Sequence, residues 1–509
     1  MDLAVMLDDG APEPLYRQLY AGLREAILSG RLSPGGKLPS SRGLARQLRV
    51  SRNTVTTAYA ELEAEGYVTP SRGSGTYVSR KLPEDRPAGA SSRAGDTPGP
   101  PRRLPLPSRW RGLEEAPGLD PYAAVPNGLP YDFHPGRGAW DIFPVRIWRR
   151  LLARHWRRGW LETMDYGDPG GYRPLRQEVA AFLGRARAVR CDPEQVVIVN
   201  GTQQALDLLS RLLLSPGHLA AVEEPGYPSA RRLFAAHGAR LLPIPVDRDG
   251  LMVERLRGSG AVLALVSPSH QFPTGSVLSL PRRLALLSWA RSEGAIVVED
   301  DYDSGFRYEG RPLASLQGLD DSGSVVYLGS FSKLLFPSLR VGYAVLPPDL
   351  VGPFQDAKEL TDRQTPILEQ LLLASFLGEG HFERHLRRMR VIYRERRRVL
   401  VETLQEQLAG RVEVLGAEAG MHVMVRLLVD LDEAELVAKA ASLGVAVYPA
   451  RPCYLGPSPW PALVIGYAGM SEEQIRKGVE LLGRAIAEGR PSSARLDGSG
   501  QVGYNQSTV

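Results

Sequence analysis

The stretch from Pro83 to Pro107 is rich in Pro, Gly, Ser and Arg, with few side chains that can enter a core. Such a composition makes a tether, not a packed element. The chain of 509 residues must therefore fold as separate units on either side of it. The expected division is a small module over 1–80, a flexible linker over 81–128, a large domain over 129–490 and a disordered polar tail over 491–509. No internal repeat competes with this division.

The formal net charge is +5, a mild bias that suits an acidic partner without establishing one. Its source is arginine. Only six lysines occur, Lys37, Lys81, Lys333, Lys358, Lys439 and Lys477, so a lysine inside a motif stands out. Two cysteines, Cys191 and Cys453, exclude a disulfide framework and point to a reducing compartment. The first ten residues hold three aspartates and no basic side chain, unlike a signal peptide. No apolar run approaches the ~20 residues that span a bilayer. A cytoplasmic location with no membrane partner is the expectation.

Before the tether, Leu15, Leu19, Leu23 and Ile27 recur at the spacing of one helix face, and Gly30 lies just past the end. Ser40 can cap a second helix that turns Leu44, Ala45 and Leu48 inward. After a tight turn, a third helix from Arg52 to Glu65 buries Val55, Tyr59 and Leu62 and exposes Arg52, Asn53, Thr54 and Thr56 in its first turn. That suits a recognition helix, whose N-terminal residues reach base edges. Tyr67-Val68 and Gly73 to Val78 read as a hairpin with a flexible tip. Residues 15–80 carry ten Arg or Lys against four Glu, as binding to phosphates requires. On spacing alone, a small helical interaction module remains open.

Four blocks, Leu38-Pro39-Ser40-Ser41-Arg42, Val50 to Val55, Leu62 to Tyr67 and Gly73 to Val78, resemble the GntR family of bacterial regulators in the same order. The resemblance implies a winged helix-turn-helix that binds double-stranded DNA. It places Arg42 and Arg52 on the DNA, Ser51, Asn53, Thr54 and Thr56 along the groove, and Arg72 and Gly73 at the wing tip.

Beyond the tether, short β-branched runs alternate with amphipathic helices, the pattern of an α/β fold. Val196 to Val199 is a strand, Asn200-Gly201-Thr202-Gln203-Gln204 a turn, and Leu206, Leu209 and Leu213 mark the helix that follows. A helix N-terminus after a glycine turn is an anion site, though an ordinary strand–helix turn looks the same. Ser330-Phe331-Ser332-Lys333 followed by Arg340 is sharper. A lysine that is neutral part of the time can attack a carbonyl, while Arg340 and Ser330 hold a phosphate beside it. Between these, Ile296 to Val298 is an apolar strand that ends in Glu299-Asp300-Asp301-Tyr302. Asp300 and Tyr302 share a face if the strand continues. An aspartate can keep a pyridine nitrogen protonated and a phenol can bond a ring oxygen, although solvated acids at a strand end remain open.

Tyr166-Gly167-Asp168-Pro169, Gly171 to Arg176, Asn200 to Gln204, Glu224-Pro225-Gly226-Tyr227, Pro273-Thr274-Gly275, Glu299 to Tyr302 and Ser330 to Arg340 follow the order found in fold-type I aminotransferases. With the GntR-like head, the chain resembles the MocR/GabR-type subfamily. The resemblance implies an α/β large domain of the fold-type I pyridoxal-phosphate transferase kind, with a mainly parallel sheet and a small α+β subdomain. It makes Lys333 the Schiff-base lysine. It pairs Asp300 with the pyridine nitrogen and Tyr302 with the 3-oxygen, and stacks Tyr227 on the ring. Gly201, Thr202, Gln203, Ser330 and Arg340 hold the phosphate, and Tyr166 reaches the phosphate of a partner in a homodimer.

One residue departs from that pattern. Aminotransferases commonly have Asn before Pro-Thr-Gly, supporting the 3-oxygen; here it is Phe272, with His270 or Gln271 as possible substitutes. Arg451, after a strand in the small subdomain, is the candidate for an effector's carboxylate. His422 is expected to be structural. Seven arginines between Arg387 and Arg398 read as the solvated face of a helix with Leu386, Met389 and Ile392/Tyr393 inward, with a docking face for DNA or linker left open.

The function these readings imply is a bacterial transcriptional regulator, nucleoid-associated when DNA-bound. It would sense pyridoxal phosphate, or an adduct with an amino acid or amine. The alternative is a working aminotransferase with an accessory head, and whether the chain is an enzyme stays open.

Overall fold

The computed structural model describes residues 7–71, 73–82, 122, 125, 126, 128–157, 165–308 and 314–489. The chain divides into two compact units, with the boundary after Pro105.

In the first unit, α1 (Leu15–Leu28) buries Leu19, Leu23, Ala26 and Ile27. Ser40 caps α2 (Ser41–Leu48), its hydroxyl accepting from the Gly43 N–H at 3.1 Å, and Arg49 in the left-handed region ends that helix. Ser51 caps α3 (Arg52–Ala64), accepting from the Thr54 N–H at 3.0 Å. The hairpin follows as β1 (Val68–Ser71) and β2 (Gly75–Val78), antiparallel with Val68 opposite Val78. Leu19, Leu23, Leu44, Val55, Leu62, Val68 and Val78 form one core. Each such side chain contributes about 1.5–3 kcal/mol on burial. Arg72 lies outside the described residues.

The first strand of the second unit is β3 (Tyr131–Asp132). Its main strands are β4 (Val196–Val199), β5 (Leu219–Glu224), β6 (Arg240–Asp247), β7 (Gly250–Leu251), β8 (Ala261–Val266), β9 (Ile296–Asp301), β10 (Val325–Ser330) and β11 (Gly342–Val345). They form an eight-stranded sheet in the order β4-β11-β10-β9-β8-β5-β6-β7. Strands β6, β5, β8, β9 and β10 run parallel; β11 and β7 are antiparallel to their neighbours. All six residues of β10 are buried, as in a sheet covered on both faces. Strands β12 (Val412–Leu415), β13 (His422–Leu427), β14 (Val445–Ala446), β15 (Tyr448–Pro449) and β16 (Ala462–Gly466) come last in the chain. Four of them form a second sheet, β12-β13-β16-β15, while β14 pairs with β3. This is the expected mainly parallel α/β architecture with a small subdomain.

The helix His381–Gln407 corrects one reading. Leu386, Met389 and Tyr393 face inward as expected. However, three of the seven arginines are half-buried and donate to backbone carbonyls: Arg390 to Gly305, Arg396 to Ala468 and Arg397 to Ala417. That face is partly a clamp on loops, not a solvated stripe.

Most of 81–128, and the tail from 490 on, lie outside the described residues. Yet Val125 is buried in the second unit's core, so packed structure begins before residue 129. Among the described residues, no helix is long and apolar enough to cross a membrane.

Candidate cofactor site

The C-terminal ends of β9 and β10 and the turn after β4 meet at a cavity of about 400 Å³, where doubly wound sheets bind ligands. At one end, Asn200-Gly201 leads into the helix Thr202–Leu213, whose first N–H groups have no helical acceptor. Gly201 has φ +84°, and a Cβ there would stand 2.9 Å from the Arg340 guanidinium. Only glycine leaves that cradle open. Arg340 Nη2 donates to the Asn200 carbonyl at 3.0 Å, and Ser330 also lines this end.

A partly buried network braces the turn. Asn200 Nδ2 and Gln204 Nε2 each donate to Asp362 Oδ2 at 2.6 Å, and Lys358 Nζ donates to Asp362 Oδ1 at 2.8 Å. The Lys358 side chain is fully buried.

Asp300 and Tyr302 enter the cavity from the end of β9, and Lys333 from the short helix after β10. Asp300 Oδ1 is buried without a hydrogen-bond partner. Burial, then Asp301 and Asp303, push its carboxyl up to about 7, against the pull of Lys333. An unpaired buried carboxylate is costly, and a protonated ring nitrogen would supply its partner. Burial holds the Lys333 amine below its ordinary range although Asp303 and Asp300 oppose it, which enlarges the neutral, nucleophilic fraction. Gly136 packs so closely that a Cβ would lie 2.3 Å from Lys333 Nζ. An anion cradle, an orphaned acid, a phenol and a buried lysine around one cavity fit pyridoxal phosphate.

Of the residues singled out in the sequence, Gly201, Thr202, Gln203, Tyr227, Asp300, Tyr302, Ser330, Lys333 and Arg340 all line this cavity. Tyr166 does not; it is exposed, with Arg363 over its ring at 4.9 Å. Nor does Arg451, which is exposed and donates to the Tyr454 carbonyl at 3.4 Å. His422 was expected to be structural, but it starts β13 and lines the cavity. Burial pushes its pKa well below the usual histidine value, so the ring is neutral. Asp303, His134 and Tyr122 are further lining residues that no motif signalled. Gln271 turns away, its amide donating to Pro225 and Phe272 carbonyls, while Phe272 meets Tyr227 edge-on at 6.1 Å.

On the first unit, Arg42, Ser51, Arg52, Asn53, Thr56 and Gly73 are exposed and Thr54 is half-buried. The Ser51 hydroxyl is engaged as the α3 cap, and Thr56 Oγ1 donates to the Arg52 carbonyl at 2.9 Å.

This fold and site define a pyridoxal-phosphate-binding domain of the aminotransferase kind, carried on a chain with a winged helix-turn-helix. Residues 161–482 match the family Aminotransferase class I and II, and residues 15–78 match Bacterial regulatory proteins, gntR family. The chain belongs to the MocR-type subfamily of gntR-family regulators, which joins these two domains. It is 38% identical over 507 residues to the probable rhizopine catabolism regulatory protein MocR of Rhizobium meliloti, covering 99% of both chains. It is 37% identical over 492 residues to the HTH-type transcriptional regulator YhdI of Bacillus subtilis, covering 96% of this chain and 99% of that one. Among solved structures, the α-aminoadipate aminotransferase LysN of Thermus thermophilus, complexed with N-(5'-phosphopyridoxyl)-L-leucine, is similar with a TM-score of 0.67 and 32% identity. That match covers 72% of this chain and 94% of LysN.

Proposed function

We propose that this protein is a pyridoxal-phosphate-dependent transcriptional regulator that reads the cofactor, or an amino-acid or amine adduct of it, and changes its grip on DNA. The observation that carries this reading is the complete cavity set of Lys333, Asp300, Tyr302, Arg340 and the 200–204 turn in one chain with a gntR-type head. When bound, pyridoxal phosphate supplies an aldehyde that condenses reversibly with primary amines. Arg340, Ser330 and the N–H groups of Thr202 and Gln203 hold the phosphate. Asp300 keeps a proton on the ring nitrogen, Tyr302 donates to the ring oxygen, Tyr227 covers one face, and the Lys333 amine is the nucleophile. A signal requires that the ligand bind two states of the protein with different affinity.

Further assignments belong to this reading. The protein works as a cytoplasmic homodimer in which Tyr166 reaches the partner's phosphate. Arg451 receives an effector's carboxylate. The functional division is a head over 1–80, a linker from 81 that ends before Tyr122 and Val125 join the body rather than at 128, a body reaching to 490 and a disordered tail over 491–509. Arg42 and Arg52 contact DNA, with Ser51, Asn53, Thr54 and Thr56 along the groove and Arg72 and Gly73 at the wing tip. The local excess of positive charge over 15–80 supports this.

The test is binding to the gene's own upstream DNA with and without pyridoxal phosphate, for wild type and Lys333→Ala. A cofactor-dependent change of affinity in wild type, lost in the variant, is the expected result. Equal binding in all four cases would reject the cofactor alone as the signal. The intact site also favours residual aminotransferase half-reactions, which turnover with an amino donor and a keto acid would reveal.

A further inference from the structure

Phe272 removes the polar side chain that aminotransferases commonly place by the ring oxygen, and Gln271 is committed elsewhere. Tyr302 is left to serve that oxygen, so the direction of its proton matters. Its hydroxyl lies 3.3 Å from His270 Nδ1. The same nitrogen lies 2.9 Å from Asp303 Oδ2. Both His270 and Asp303 are 2% exposed, and Asp303 lines the cavity. One ring nitrogen cannot donate to Asp303 and accept the Tyr302 proton at once: a protonated Nδ1 donates, a bare Nδ1 accepts. The shorter contact is to a carboxylate, and charge-assisted bonds are about twice as strong as neutral ones. The proton therefore sits on Nδ1 and goes to Asp303.

We infer that the Asp303–His270 pair positions Tyr302 by denying its hydroxyl an internal acceptor, so that the phenol proton is directed at the cofactor's ring oxygen. The rest of the pocket agrees. His270 Nε2 is buried without a partner, as a bare nitrogen in this tautomer would be. The backbone of Gly420 closes over the pair; a Cβ there would stand 2.0 Å from the His270 ring and 2.6 Å from Asp303. Burial first, and then the charges of Asp303, Asp300, Glu223 and Asp301, hold the Tyr302 phenol well above its ordinary pKa and disfavour a phenolate, with His270 and Lys333 the other ionisable groups beside it. Tyr302 thus keeps a proton to donate. His270 and Asp303 are positioning residues, which act through Tyr302.

The inference rests on the cofactor reading above, and the test separates the two. It uses the full-length protein loaded with pyridoxal phosphate and follows the pH midpoint of the lysine-bound chromophore. If no chromophore forms, or if Lys333→Ala keeps it, the cofactor reading itself fails. Hydrogen-bond donation to the ring oxyanion favours the deprotonated form, so Tyr302→Phe raises the midpoint by roughly 1 pH unit in the wild-type background. In His270→Gln and in Asp303→Asn backgrounds, Tyr302→Phe should shift it by less than half as much, because the hydroxyl is already diverted. Comparing the Tyr302 step within each background cancels the direct effect of removing the Asp303 charge. The two backgrounds are independent, so one that loads poorly leaves the other. An equal Tyr302→Phe shift in every background that loads would overturn the inference.

Discussion

The Asp362 carboxylate accepts a hydrogen bond of 2.6 Å from the side chain of Gln204, across 158 positions of sequence. The same oxygen holds Asn200, so one acid fixes both ends of the turn that forms the anion cradle. Asp362→Ala should weaken pyridoxal phosphate binding about tenfold, the loss expected from one or two bonds to a charged group. It also strands the buried Lys358 ammonium, a cost of about 3 kcal/mol to folding. Cofactor titration and thermal denaturation measure the two losses separately.

Gly201→Ala should damage the site more locally. The new Cβ must take a left-handed φ and enter the space of Arg340. At φ +84° and ψ 164°, a region essentially only glycine occupies, strain of about 1–3 kcal/mol is expected, and cofactor affinity should fall by more than tenfold. Equilibrium dialysis with pyridoxal phosphate checks this; an unchanged affinity would mean that Arg340 is not part of the cradle.

Asp300 makes stability depend on pH in a direction that can be worked out. Its carboxyl titrates near 7 in the fold, above its ordinary value of 3.8. Between these values the folded state holds a proton that the unfolded chain has lost, so stability without cofactor falls as pH rises from about 4 to about 7. Asp300→Asn removes that penalty. Without cofactor, the variant should gain roughly 2–4 kcal/mol over wild type at pH 8, with the gain shrinking toward pH 4. Denaturant unfolding at several pH values tests this, and a gain independent of pH would count against it.

On the head, Ser51 and Arg52 are neighbours with different jobs. Ser51 caps α3, so Ser51→Ala should cost about 1 kcal/mol of head stability. Arg52 is exposed at the helix start. Arg52→Ala should leave folding intact while lowering the salt dependence of DNA binding by about one phosphate contact. Circular dichroism melts and binding titrations across salt concentrations distinguish them.

Motifs that are continuous in sequence were legible. Lys333 with its flanking serines and Arg340, the strand ending in Asp300, and the cap at Ser40 each combine a local conformation with a local chemical need. What stayed hidden was brought in from afar. His422 enters the cavity because β13 begins there, and nothing around Gly420-Met421-His422 announces it. Asp362 and Lys358 lie in a helix of ordinary amphipathic pattern, and their role appears only when that helix packs beside the turn at 200–204. Arg390, Arg396 and Arg397 were read as solvated because helical periodicity shows which way a side chain leaves the axis. It does not show that carbonyls of residues 305, 468 and 417 will meet it.

Tyr122 lines the cavity, meets Tyr448 edge-on at 5.0 Å and places its hydroxyl 3.9 Å from Cys453 Sγ. Only three residues on, Val125 is buried in the core of the same unit. Anyone severing the body from its head for separate expression must cut upstream of both. A fragment started at residue 129 would lack the Tyr122 ring that lines its own pocket, and a poor affinity measured on it would reflect where the scissors fell.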